Sequence, residues 1–465
     1  MTLQRFLLTT LASQVAKHTT TKLSTVAMST SSSVLCEELS LSCLDGTVLA
    51  AQRYSKAPLV DPNDENTPPT TTKILCIHGW LDNCRSFHAL APAIVEGYFP
   101  ANGDAVELVA LDLPGHGQSS HKSMDAPPMV QADLAYYVHE ALHALEWNND
   151  SNDDDEGANG DDTNEKDADA KSENKDNDKH NKHGITLLGH SLGAGVSSTF
   201  AAAFPEYVDR IVLLEGAGFM ARSAESTPEH ARNHMIKRRQ ALEKVQEHQS
   251  LHSSPRGYPS LAVAIKTRQR AALALPQKKR KLLAYKAAEE LVLRSTRPLQ
   301  DDNDNNEEEE DGRVQFCHDS RYHWPSLQYM TWDQVQGCFK AIQHKNICLL
   351  IAEQGWPWLE EQMEQTKELL QPTVFDVLPG DHCTFLAFFF AVLFVCIVNL
   401  DWLTMLTFYS LQIFTLIQKL RMPWRRPFLN FWRKQTSFQV LLLRLPLLLL
   451  LLLVVVVAVM NSKDN

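Results

Sequence analysis

The sequence predicts an α/β fold, a mostly parallel sheet with helices on both faces and a helical cap inserted into it. Three observations predict this. Short apolar runs of strand composition recur at 74–77, 106–111, 185–188, 211–214, 347–351 and 374–378, separated by helical stretches. One of them, Gly184-Ile185-Thr186-Leu187-Leu188, leads directly into Gly189-His190-Ser191-Leu192-Gly193 and then an Ala- and Ser-rich stretch suited to a helix. From 219 to about 345 the strand rhythm stops and basic, helix-forming sequence takes over.

Taken in order, residues 1–33 form a separate leader. The first 36 residues hold Arg5, Lys17 and Lys22, no acid, and 14 Ser or Thr. That composition resembles a mitochondrial or plastid transit peptide as much as an untargeted terminus. The first part of the core runs over 34–218. It opens with a hairpin, since Asp45-Gly46 separates strand-like runs at 35–44 and 48–54. A helix is predicted at 130–145. An acidic insertion at 148–183 precedes the strand before Ser191, and a surface excursion there costs little loop entropy. The cap spans 219–345, with helices predicted at 232–248, 261–274 and 278–293 and an acidic loop at 301–311. Its many basic residues are expected to form a solvated face. The core closes over 346–385 with strand, helix (358–370) and strand.

The net charge of −12 is concentrated. Residues 150–183 carry 13 acidic and 5 basic residues, and 301–311 carry 8 acidic and none basic. Removing these two runs leaves the remainder near +4 (−12 + 8 + 8). Neither run has an apolar period, so each reads as a disordered, solvated insertion. The overall sign and the lack of a recognition motif argue against nucleic acid as a partner. The nine cysteines are scattered with no C-x-x-C pair, which argues against a disulfide framework and favours a reducing compartment. No ligand-spaced histidine pair occurs, so no metal is expected.

The chemistry gathers around Ser191. A serine at a tight strand-to-helix turn takes a strained backbone, and flanking glycines remove the clashes that would forbid it. The turn lifts the hydroxyl above the sheet at a helix N-terminus. Ile77-His78-Gly79-Trp80 ends an early strand in a glycine turn, so the backbone N–H groups of Trp80 and Leu192 are the natural donors to an oxyanion. His382 follows the last strand after Pro379-Gly380 and is the candidate general base. Its carboxylate partner has two candidates, Glu215 and Glu353, each at the end of a strand. Asp381 adjoins His382 and orients it poorly, while Asp112 and His116 are expected to shape the pocket rim.

At these residues the chain resembles the α/β-hydrolase superfamily, and within it the serine hydrolase-like proteins. The resemblance is carried by Ile77-His78-Gly79-Trp80-Leu81-Asp82-Asn83, by Leu111-Asp112-Leu113-Pro114-Gly115-His116-Gly117-Gln118-Ser119, by the Ser191 pentapeptide and by the stretch from Phe204 to Gly216. Tyr258-Pro259-Ser260 and His318-Asp319-Ser320-Arg321 extend it into the cap. It covers about 34–385 apart from the acidic runs. It implies an α/β-hydrolase fold and hydrolysis through an acyl-serine intermediate with no cofactor. The resemblance is strongest around Glu215, which favours that residue as the triad acid. It supplies no substrate. Ser191 at the elbow, rather than a carboxylate, argues against dehalogenation.

The tail departs from the family. Residues 386–465 contain two long apolar runs around a loop at 419–434 with six basic residues, none acidic, and Trp424 and Trp432. They read as one or two candidate transmembrane segments, or as a mistranslated end. The expected activity is a membrane-associated serine hydrolase acting on an ester, thioester or amide of a small or lipid-like molecule. The alternative is a catalytically silent binding protein of the same fold.

Overall fold

The computed structural model describes residues 34–56, 71–97, 105–123, 132–148, 184–250, 257–275, 281–299, 312–327, 329–342, 346–378 and 380–383. The leader at 1–33, the acidic runs at 150–183 and 301–311 and the tail at 386–465 lie outside the described residues.

Eight strands form the main sheet. In chain order they are β1 (Leu35–Ser42), β2 (Val48–Lys56), β3 (Thr71–Ile77), β4 (Ala105–Leu111), β5 (Ile185–His190), β6 (Val208–Leu214), then, after the cap, β9 (Ile347–Ala352) and β10 (Val374–Leu378). Their spatial order is β1-β2-β4-β3-β5-β6-β9-β10. β1 and β2 pair antiparallel and β2 joins β4 antiparallel, while every pairing from β4 to β10 is parallel. The Asp45-Gly46 hairpin forms because Gly46 takes the left-handed backbone (φ 83°) that the turn needs. Strand alternation fills both faces. Leu75, Ile77, Leu187, Ile211, Leu213 and Leu349 enter one apolar layer. Ile74, Cys76, Leu188, Val212, Leu214 and Leu350 enter the other.

Helix α1 (Leu90–Gly97) packs on the second layer. α2 (Asp133–Ala144) and α3 (Leu192–Ala203) pack on the first. The cap contributes α4 (Thr227–Ser250), α5 (Leu261–Ala271), α6 (Tyr285–Ser295) and a small antiparallel pair, β7 (Thr296–Pro298) with β8 (Val314–Phe316). The sequence expectation of an all-helical cap missed that pair, whose three-residue strands are too short for periodicity to register. α7 (Trp332–Ala341) packs in the helical layer of the core, beside α3. Val335 and Phe339, one turn apart, bury themselves in the layer that holds α3. α8 (Glu360–Leu370) joins β9 to β10.

The basic cap residues are not simply a solvated face. Arg294 of α6 is buried, donating from Nε to Asp112 Oδ2 (2.7 Å) and from Nη1 to Glu38 Oε2 (3.0 Å). Arg268 of α5 pairs with buried Asp82, and Arg85 pairs with Glu290 of α6. Asn83 Nδ2 donates to Leu291 O (2.8 Å) and Ser295 Oγ (2.7 Å). The cap is thus tied to the turns after β3 and β4 by buried polar contacts. Cysteines 36, 43, 76, 84, 317, 338 and 383 are free thiols. Cys348 is disulfide-bonded.

Removing one partner of a buried ion pair leaves the other charge stranded. Asp112→Ala is therefore expected to destabilise the protein by about 3–5 kcal/mol, because the Arg294 Nε and the Cys84 and Gln118 N–H groups lose their acceptor and Arg294 keeps only the half-exposed Glu38. Chemical unfolding of the variant beside wild type measures it.

Candidate active site

The parallel strands all present their carboxyl ends at one edge, where an open α/β sheet gathers its functional residues. Register brings the key positions together. His190 pairs with Leu214 across β5 and β6, so Ser191 and Glu215 leave adjacent strands side by side. The Ser191 N–H donates to Leu214 O (2.9 Å) and the Glu215 N–H to Leu350 O (2.9 Å).

Ser191 adopts φ 53°, ψ −114°, a backbone that costs about 1–3 kcal/mol for a residue with a Cβ. The glycines around it are required by close approach. A side chain at Gly193 would meet the Ile77 carbonyl, and one at Gly189 would meet the backbone of Gly193. With these contacts open, α3 begins directly at Leu192, whose N–H belongs to the first turn and has no intrahelical acceptor.

Ser191, His382 and Glu215 lie in one chain of hydrogen-bond distances. Ser191 Oγ is 3.0 Å from His382 Nε2, and His382 Nδ1 is 2.8 Å from Glu215 Oε2. Glu215 is buried and itself turned left-handed (φ 51°). Its Oε1 accepts from the Ala352 N–H (2.7 Å) and its Oε2 from the Trp356 N–H (2.9 Å). Any side chain at Gly355 would collide with this carboxylate. The other candidate acid, Glu353, is exposed, and its N–H donates to Leu378 O (2.8 Å) as β9 ends beside β10. Asp381 accepts from the Cys383 N–H through Oδ1 (3.1 Å).

Trp80 sits in the turn after β3, half exposed, with its indole N–H donating to Tyr322 O of the cap (3.1 Å). Gly79 lies so close to Ser191 that an added Cβ would stand 3.3 Å from the Ser191 Cβ. The expected oxyanion donors, Trp80 N–H and Leu192 N–H, therefore belong to segments that flank the serine.

Asp112 and His116 are fully buried rather than at a rim. Asp112 accepts from the Cys84 N–H (2.7 Å), the Gln118 N–H (2.9 Å) and Arg294. His116 Nε2 accepts from the Leu81 N–H (3.3 Å) while Nδ1 donates to Pro114 O (3.1 Å). His78 is bonded likewise, Nδ1 to Gly79 O (2.7 Å) and Nε2 to the Leu113 N–H (3.0 Å). These two histidines brace the turns beneath the site. Sequence reasoning did not assign His78 a role, although its place at the end of β3 was a signal. Among the described residues no group of three or more His, Cys, Asp or Glu is arranged to hold a metal ion.

Residues 73–388, more than half of the chain, match the family profile described as alpha/beta hydrolase fold. The chain belongs to the α/β-hydrolase fold family. Curated relatives of this α/β-hydrolase include the serine hydrolase-like protein of Mus musculus, 30% identical over 161 residues (35% of this chain, 36% of the relative). That of Homo sapiens is 29% identical over 172 residues (37% and 61%), and that of Danio rerio 24% over 285 residues (61% and 65%). The matched region thus spans less than two thirds of each relative. Two solved structures share the fold. A hypothetical protein of Pseudomonas aeruginosa superimposes with a TM-score of 0.52 at 24% identity, covering 78% of this chain and 97% of its own. The thioesterase domain from the curacin biosynthetic pathway gives 0.51 at 18%, covering 79% and 100%.

Burial dominates the proton chemistry of the supporting histidines. It pushes His78 down and His116 well down, and His190 and His318 to about 4. Each is therefore neutral when folded at neutral pH and binds protons more readily when unfolded. Stability falls as pH drops from the ordinary histidine range near 6.5 toward about 4 and gains nothing further from these groups above that range. We expect the thermal midpoint to decline over this window, before the carboxylates titrate, and the decline to be shallower in His116→Gln. A flat profile between pH 6.5 and 4 would contradict this.

Proposed function

We propose that this α/β-hydrolase is a serine hydrolase that cleaves an ester, thioester or amide of a small or lipid-like molecule through an acyl-serine intermediate. The single observation that carries the proposal is the Ser191–His382–Glu215 chain at 3.0 and 2.8 Å, with the serine at the head of α3. In the proposed reaction Ser191 Oγ attacks the substrate carbonyl carbon as His382 Nε2 takes its proton. Glu215, holding Nδ1–H, stabilises the imidazolium. The Trp80 and Leu192 N–H groups donate to the oxyanion of the tetrahedral intermediate. His382 then protonates the leaving oxygen, sulfur or nitrogen and the acyl-serine remains. Water, deprotonated by the same nitrogen, releases the acid and restores Ser191. No cofactor takes part in this scheme.

A fluorophosphonate probe and a short p-nitrophenyl ester test it. Wild type should label and turn over, while Ser191→Ala and His382→Ala should lose several orders of magnitude in kcat. Equal turnover by wild type and Ser191→Ala would sink the assignment. Glu215→Gln should lower kcat by about 10³–10⁴, since an amide facing Nδ1 favours the wrong imidazole tautomer. Glu353→Gln should change little.

We further propose that the tail at 386–465 associates with a membrane. Its support is composition alone, apolar runs beside a basic, Trp-containing loop. Among the described residues no helix is long and apolar enough to cross a membrane. The full chain should sediment with membranes and resist alkaline carbonate, whereas a chain ending near Phe385 should not. Complete carbonate release of the full chain would reject the proposal.

A further inference from the structure

His190 is the last residue of β5, immediately before Ser191. The ring is buried, 5.2 Å from the His382 ring between centroids. Its Nε2 lies 2.9 Å from the His382 carbonyl oxygen. A carbonyl only accepts, so Nε2 carries the hydrogen. Burial, together with the neighbouring His382, holds the ring at about 4, so it is neutral and Nδ1 is bare at neutral pH. That nitrogen has no hydrogen-bond partner among the described residues. It faces the Gly79 backbone, where an added Cβ would stand 3.1 Å from it and 3.4 Å from Asp82 Oδ2.

A buried imidazole with an orphaned nitrogen is a poorer filler than an apolar side chain. What it supplies is a donor to the backbone of His382. That residue follows β10 on a short turn, where Gln354 N–H donates to Gly380 O (2.9 Å) and Gly380 takes φ 142°. The His382 ring must meet Ser191 and Glu215 at once, so rotation of its peptide would move both nitrogens off their partners. A displacement of about 1 Å in such an arrangement can cost 10²-fold in rate.

We propose that His190 is a positioning residue, whose Nε2–H bond fixes the His382 peptide and so holds the ring between Ser191 and Glu215. The proposal rests on the reading of Ser191 and His382 as the hydrolytic pair. It also makes a claim independent of turnover, that the His382–Glu215 hydrogen bond depends on the donor at His190.

The test compares full-length wild type with His190→Gln, whose amide reaches about as far as Nε2, and with the donorless His190→Phe and His190→Met. Three quantities are read: kcat and KM on a p-nitrophenyl ester, the thermal midpoint, and the downfield proton resonance of His382 Nδ1–H. The donorless variants should lose about tenfold or more in kcat with KM within about twofold, and the resonance should broaden or vanish. His190→Gln should keep kcat within about threefold and retain the resonance. Wild-type kcat and an intact resonance in a folded donorless variant would overturn the proposal. So would equal losses in the Gln and donorless variants, or failure of both donorless variants to fold, since the role would then be packing. If wild type fails to turn over the ester, the resonance decides alone. Its loss in the donorless variants and retention in His190→Gln would uphold positioning while the hydrolase reading falls, and its persistence would reject positioning.

Discussion

The backbone of Ser191 is the constraint around which the rest of the site is arranged. At φ 53° and ψ −114° it turns the chain from β5 into α3 without an intervening loop. The strain, about 1–3 kcal/mol, is held by bonds on both sides, Ser191 N–H to Leu214 O and Ala194 N–H to Ser191 O. It also depends on contacts that no side chain may enter, since α3 presses its first turn against the Ile77 carbonyl at Gly193. Once this turn is fixed, sheet register places Glu215 beside it. A second left-handed residue at Glu215 then points a carboxylate into the space that Gly355 leaves open. The precision of the three-residue chain is therefore a property of three strand ends. Loops contribute chiefly by carrying His382 back.

Much of this was legible in the sequence for reasons that differ from residue to residue. Ser191 could be read because its turn needs glycines at fixed offsets, a local signature. His382 could be read because it follows the last apolar strand. The choice between Glu215 and Glu353 could not be derived from spacing, since both end strands of the same apolar composition. What separates them is three-dimensional: Glu353 is exposed where β9 ends beside β10, whereas Glu215 receives the Ala352 and Trp356 N–H groups. Helix α7 was grouped with the cap because it lies in the stretch between strands, although Val335 and Phe339 carry the one-turn spacing of a buried face. The cap arginines looked solvated because their acidic partners are far away in sequence. Asp82 is 186 residues from Arg268 and Asp112 is 182 from Arg294. Composition reports charge, and burial of that charge depends on pairings at a range no local pattern reaches.

Those pairings also say what kind of junction joins cap to core. A buried ion pair returns little net stability against an apolar pair of the same volume, because desolvation consumes the attraction. It is, however, directional. Arg294 addresses Asp112 and Glu38, Arg268 addresses Asp82, and Asn83 satisfies both the Leu291 carbonyl and Ser295. An apolar interface would tolerate sliding of the cap by a fraction of a helix turn, whereas these contacts lose their hydrogen bonds on displacement. Asp82 and Asn83 immediately follow the Trp80 turn. The orientation of the cap and the placement of that turn are consequently one structural problem.

The histidines at this end of the sheet show how one side-chain type can be given different hydrogen-bond partners. His78, His116 and His190 are all buried, and each bonds a neutral partner: a carbonyl oxygen, a backbone N–H, or both. A neutral dipole cannot offset the loss of hydration that an imidazolium suffers on burial, so burial keeps all three uncharged. His382 is as buried as its neighbours but donates from Nδ1 to a carboxylate. Its remaining nitrogen, Nε2, is left facing the serine hydroxyl. The division of labour follows from the acceptor beneath each ring. Three histidines serve as neutral struts, and the one that rests on Glu215 is the one that faces Ser191.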